Sequence, residues 1–110
     1  MTEHMGQETI EPQIKAFEEN KAKLKEPKLF MVIMFNDDFT TMEFVITVLV
    51  DIFNKTVEEA NNIMLAVHEK GQGIAGIYPY DIALTKMSLA ISAAKKEDFP
   101  FKLAIEEAEK

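Results

Sequence analysis

The stretch from Val32 to Val45 constrains the fold more than any other part of this chain. It reads Val32-Ile33-Met34-Phe35-Asn36-Asp37-Asp38-Phe39-Thr40-Thr41-Met42-Glu43-Phe44-Val45. An apolar run stops at three side chains that seek water or a polar ligand, and a helix-like apolar run begins soon after. A short polar connection pinned at both ends by buried elements can aim its groups at something. Asp and Asn also build turns by bonding to nearby backbone, so a turn-forming role stands beside a ligand-binding one.

The apolar run before this connection extends from Leu29 to Phe35, between Pro27 and Asn36. Continuous rather than alternating apolarity predicts a strand covered on both faces, or a central strand, over residues 28–35. Thr40 followed by Glu43 matches a capping box, in which two orphan amides are satisfied reciprocally. The first helix is therefore expected to start at Thr40 or Thr41 and to run from Met42 to about Phe53. Its apolar residues cover more than the single stripe of a surface helix, so the surplus needs another helix or a ligand. Thr56 and Glu59 repeat the capping signal and predict a second helix over 57–69, with Val57, Ala60, Ile63, Met64 and Val67 on its core face. Gly71 suits the C′ position that ends it. His68 lies four residues after Met64, on a neighbouring position of the same face.

A second strand is predicted over 73–78, with Ile74 and Ile77 as its strongest residues. Pro79 suits the first position of a third helix, and Asp81 in its first turn complements the dipole. Ala83, Met87, Ala90, Ile91 and Ala94 form its apolar stripe. Phe101, Leu103 and Ile105 alternate with Lys102, Ala104 and Glu106 as a last, half-exposed strand. The order strand, helix, helix, strand, helix, strand predicts an α+β domain: a small three-stranded antiparallel sheet with three helices packed on one side. Residues 1–27 read as a flexible N-terminal tail, since Ile10, Ile14, Phe17 and Leu24 offer little apolar bulk among many charges. The first three keep helical spacing, which leaves a transient or partner-induced helix open. The folded domain is expected over 28–110.

Composition narrows the function classes. The net charge of -7 argues against a nucleic-acid partner, which calls for clustered Lys and Arg. The absence of cysteine removes disulfides and thiolate metal sites. No apolar run suits a signal peptide or a membrane span, so a cytoplasmic protein without a membrane partner is the simplest expectation. Asp37, Asp38, Glu43 and His68 are the candidates for acid–base or metal chemistry, yet none has a specific spacing. There is no HExxH and no GxSxG, and the contiguous Asn36-Asp37-Asp38 lacks the alternation of a calcium loop. No catalytic residue, metal site or cofactor is expected, and an enzyme is not the reading.

Asn36-Asp37-Asp38-Phe39-Thr40-Thr41-Met42-Glu43-Phe44-Val45 resembles the ClpS family, adaptors that hand proteins with destabilising N-terminal residues to a Clp AAA+ protease. Met64-Leu65-Ala66-Val67-His68-Glu69-Lys70-Gly71 looks like that family's second-helix signature, and Asp81 to Met87, with Thr85-Lys86, is a third, weaker match. The resemblance covers residues 28–107. It implies that Asn36, Asp37 and His68 surround the free α-amino group of the substrate, with Asp38 and Thr40 on the same rim. It implies a hydrophobic pocket of Met42, Val45, Met64, Val67 and Phe101, with Met42 excluding β-branched side chains. It also implies docking of Asp81 and Lys86 to the N-terminal domain of a ClpA-like or ClpC-like unfoldase in the bacterial cytoplasm. The sequence departs from the family at Thr41, where Pro is common, at Phe39, where Tyr is common, and at Phe101, where Leu is common. A ribosomal-stalk-like interaction domain, which has this element order but no amine pocket, is the alternative.

Overall fold

The computed structural model describes residues 27–109 and places β1 (Leu29–Phe35) between two antiparallel neighbours, β2 (Gln72–Pro79) and β3 (Lys102–Glu107). The central position accounts for part of the unbroken apolar run, because both edges of β1 pair with strands and Val32, Ile33 and Met34 are buried. The tail expected over 1–27 lies outside the described residues except for Pro27. Val32 and Met34 point into the core, which they share with residues from all three helices.

Helix α1 (Met42–Asp51) is capped by Thr41, whose hydroxyl accepts from the Phe44 amide at 3.1 Å. The Thr40–Glu43 capping box does not form, because the Thr40 hydroxyl instead donates to Asp37 at 2.7 Å. The helix also ends earlier than expected, with Ile52 as its C-cap. Phe53, just beyond, is buried against Tyr78. The expected box at Thr56 and Glu59 is complete and starts α2 (Val57–Lys70). Gly71 closes α2 at φ 89°, a left-handed conformation that favours glycine. α1 packs on α2, and α2 on β2. The surplus apolar surface of α1 is thereby met by another helix, while Phe44 turns to Phe99 and Phe101 with ring centroids 5.1 and 5.9 Å away.

β2 and β3 flank β1 on opposite sides, so the chain between them must cross the sheet. Helix α3 (Tyr80–Lys96) makes that crossing and packs on all three strands. Its buried residues are Ala83, Ala90 and Ala94, small side chains that let the helix lie close. Pro79 is the last residue of β2 and the N-cap of α3 rather than its first helical residue.

The β1–β2 register contains a bulge. Val32 pairs with Gly76 but Ile33 pairs with Ile74, which leaves Ala75 as an extra residue. Without it, Ile74 and Ile77 would lie on opposite faces of the sheet. With it, both point away from the helices, while Ala75 and Gly76 are buried. The two residues that mark this strand in the sequence are therefore not its core residues. Gly76 is required for space, since a methyl group there would run into the ring of Tyr78.

Candidate functional site

The polar connection after β1 is built by Asp37. Its Oδ1 accepts from the amides of Phe39 at 2.8 Å and Thr40 at 2.7 Å, and its Oδ2 accepts from the Thr40 hydroxyl at 2.7 Å. Burial would raise the Asp37 carboxyl, but the hydroxyl and amide of Thr40 and the amide of Phe39 outweigh it and hold the group below its ordinary value. A carboxylate offers about four acceptor positions. Three are taken, so Asp37 keeps its charge, a fixed orientation and one position on Oδ2. The turn-forming role and an acceptor role are thus compatible in the same residue.

The β1–β2 ladder brings the second helix to this turn. Phe35 pairs with Gln72, and the Asn36 amide then donates to the Gly71 carbonyl at 2.9 Å. Because Gly71 directly follows α2, this bond ties the Asn36 turn to the helix end. His68, in the last turn of α2, is solvent-exposed and faces the same cleft.

That cleft has a volume of about 380 Å³. Asn36, Asp37, Asp38 and Thr40 form its polar side together with His68, and Met42, Val45, Met64 and Val67 form its apolar side. Val45, Met64 and Val67 are buried, whereas Met42 is 47% exposed at the start of α1. Phe101 does not line the cleft. It is buried edge-on against Phe44, on the side of α1 turned towards Phe99. The lining of the cleft therefore differs from the expected pocket in lacking Phe101: an aromatic partner on α1 draws that ring elsewhere. Phe39 and Thr41 also line the cleft, although the sequence reading did not place them there. Phe39 is 73% exposed, and a bare aromatic inside a polar turn is the signal that could have identified it.

Asp81 and Lys86 lie away from this cleft, on α3. Asp81 is exposed in the first turn. Lys86 is half-buried: its Nζ donates to the Ile52 carbonyl at 2.6 Å and Asn54 Oδ1 at 2.9 Å, and lies 5.3 Å from the centre of the Tyr78 ring. Among the described residues, no three His, Asp or Glu side chains gather in a metal-binding group. No described helix is long and apolar enough to cross a membrane.

The arrangement is chemically specific. Acceptors and a fixed anion stand beside an apolar hole, which suits a ligand carrying a cation next to a large apolar group. Comparison with known proteins leads in the same direction. Residues 25–104 match the family model for the ATP-dependent Clp protease adaptor protein ClpS. The ATP-dependent Clp protease adapter protein ClpS of Nitratidesulfovibrio vulgaris is 46% identical over 85 residues, 77% of this chain and 85% of that protein. Its namesake from Clostridium acetobutylicum is 48% identical over 95 residues, 84% of this chain and 94% of that protein. The solved structure of Agrobacterium tumefaciens ClpS2 bound to L-phenylalaninamide superposes with a TM-score of 0.72 at 32% identity, covering 76% of this chain and all of that one. These matches run through the described fold, and this chain belongs to the ClpS family of Clp protease adaptor proteins.

Proposed function

We propose that this protein binds polypeptides by a free N-terminal residue with a large unbranched side chain, such as Phe, Leu, Tyr or Trp, and delivers them to a Clp AAA+ protease. One observation carries the reading: the Asn36-Asp37 turn and His68 share a single cleft with Met42, Val45, Met64 and Val67. The ligand in the Agrobacterium tumefaciens ClpS2 structure, L-phenylalaninamide, has this chemistry, a free α-amine beside a benzyl side chain.

In this reading Asn36, the remaining position on Asp37 and an imidazole nitrogen of His68 accept from the ammonium group. Asp38 and Thr40 form the rim around it. The side chain enters the apolar side, where burial contributes roughly 1.5–3 kcal/mol. Each charge-assisted bond adds about 1.5–3 kcal/mol, offset by the cost of association. Met42 stands where a branch at Cβ would have to pass. The adaptor works by binding and handing over rather than by turnover. Its partner is the N-terminal domain of a ClpA-like or ClpC-like unfoldase, met by the α3 surface around Asp81. Lys86 takes part through the one donor its two internal bonds leave free.

The test compares a peptide beginning with Phe with its N-acetylated twin, by fluorescence anisotropy. Acetylation removes the cation and leaves the side chain intact, so the twin is expected to bind at least tenfold more weakly, the equivalent of losing about 1.4 kcal/mol. Equal affinities would remove the amine site and leave only an apolar groove.

A further inference from the structure

Two threonines stand side by side on the rim of the cleft, and their hydroxyls have opposite polarity. Thr41 is the N-cap of α1: its Oγ1 accepts from the Phe44 amide at 3.1 Å, which leaves its proton free to donate. Thr40 is the reverse. Its Oγ1 lies 2.7 Å from Asp37 Oδ2, and an ionised carboxylate only accepts, so the hydroxyl proton is committed to that bond. The Thr40 amide is committed as well, donating to Asp37 Oδ1 at 2.7 Å. Thr40 thus has no donor left on N or Oγ1. Its hydroxyl offers the cleft lone pairs alone, and the carboxylate that holds the proton polarises the oxygen into a stronger acceptor. Thr40 and Asp37 are half-buried, whereas Thr41 is exposed.

An acceptor of that kind needs a donor from the ligand. On the proposed function, on which this inference rests, the N–H groups of the ligand's ammonium go to Asn36, Asp37 and His68, and none is left for Thr40. The next donor along a polypeptide is the amide N–H of its second residue. We propose that Thr40 Oγ1 accepts from that amide, so that the site reads the first peptide bond as well as the first residue.

The spacing agrees. Standard bond lengths put an α-amino nitrogen and the next amide nitrogen about 2.8–3.6 Å apart, depending on ψ. The two acceptors, Asp37 Oδ2 and Thr40 Oγ1, are 2.7 Å apart. Adjacent donors on the ligand therefore meet adjacent acceptors on the rim. The side chain, on another bond of the same Cα, stays free to enter the apolar side between Met42 and Met64. Both acceptors are held in place by the turn itself, since Asp37 Oδ1 takes the amides of Phe39 and Thr40. The consequence is a selectivity that a pocket for the side chain alone does not give. A ligand without an N–H after its first residue leaves the Thr40 oxygen unpaired in the complex. Chains with proline as second residue belong to this class, because proline has no backbone N–H.

Two small ligands isolate the contact, phenylalaninamide and phenylalanine methyl ester. They share the ammonium, the benzyl group and the carbonyl, and only the amide has the N–H. A proline peptide is a poorer probe, because proline also restrains the residue before it. Affinities for the full chain are measured by titration calorimetry in the wild type, in Thr40→Ser, and in Thr40→Val and Thr40→Ala, which both remove the oxygen. The amide is expected to bind about five- to tenfold more tightly than the ester in the wild type and in Thr40→Ser, and no more than about twofold more tightly in the other two. The ratio is the readout because loosening Asp37 or the turn weakens both ligands alike. No preference for the amide in the wild type, or the same preference without the hydroxyl, would overturn the contact and leave the amine site standing. A wild type that binds neither ligand would overturn the contact and the amine site together.

Discussion

Asp37 accepts three hydrogen bonds from its own turn and retains a position for a ligand, which makes its protonation costly twice over. Its folded value lies below the ordinary value of about 3.9 for an aspartate. The stability it contributes is therefore fully present above about pH 3.9 and is lost as pH falls through the lower folded value. His68 lines the same cleft and can accept from the ligand's ammonium. At neutral pH, His68→Ala should weaken binding of a peptide beginning with Phe about tenfold and leave its N-acetylated twin unchanged. Equal losses for the two peptides would take His68 out of the amine site. Met42 gives a second prediction at this scale. Met42→Ala opens the entrance to the apolar side, so peptides beginning with Ile or Val should gain about tenfold or more in affinity while Leu is retained. An unchanged ratio of Leu to Val affinity would show that Met42 does not guard the entrance. Much of this site was legible residue by residue: a polar triad cutting off an apolar run, and a histidine one helical turn from a methionine. What was not legible depends on contacts distant in sequence. Phe101 looked free for the pocket until Phe44 was seen to hold it.

At the scale of the element, the helices were legible because their ends are written in short-range chemistry. Thr56 with Glu59 and Gly71 with its positive φ act within four residues of where they stand. The start of α1 was displaced by one residue for the same kind of reason, because Asp37 competes successfully for the Thr40 hydroxyl and leaves the cap to Thr41. The bulge at Ala75 had no such signature, since an extra residue in a ladder is defined only against its partner strand. Lys86 shows why elements and surfaces must be separated. Its ammonium closes the C-terminal end of α1 and the turn at Asn54, which has φ 58°. Lys86→Met should cost about 1–3 kcal/mol, read as a lower midpoint in thermal or urea unfolding. Asp81→Lys, on the exposed first turn of α3, should leave that midpoint unchanged and weaken binding to the unfoldase N-terminal domain. If both variants unfold like the wild type, the Lys86 bonds contribute nothing to the fold and its role is confined to the surface.

For the whole molecule, every residue named as lining the cleft belongs to the described domain. Deleting residues 1–24 should leave peptide affinity nearly intact while slowing degradation of a bound substrate by the Clp protease. Full-rate delivery by the truncated protein would confine all adaptor function to the domain. The bond from the Asn36 amide to the Gly71 carbonyl has a mechanical consequence for that cleft. It ties the polar turn to the end of α2, while Asp37 holds the amides of Phe39 and Thr40 and so carries the tie on to the start of α1. The rim is thus one chain of bonds running from one helix to the other, and a substitution that loosens either link is felt on both sides of the cleft.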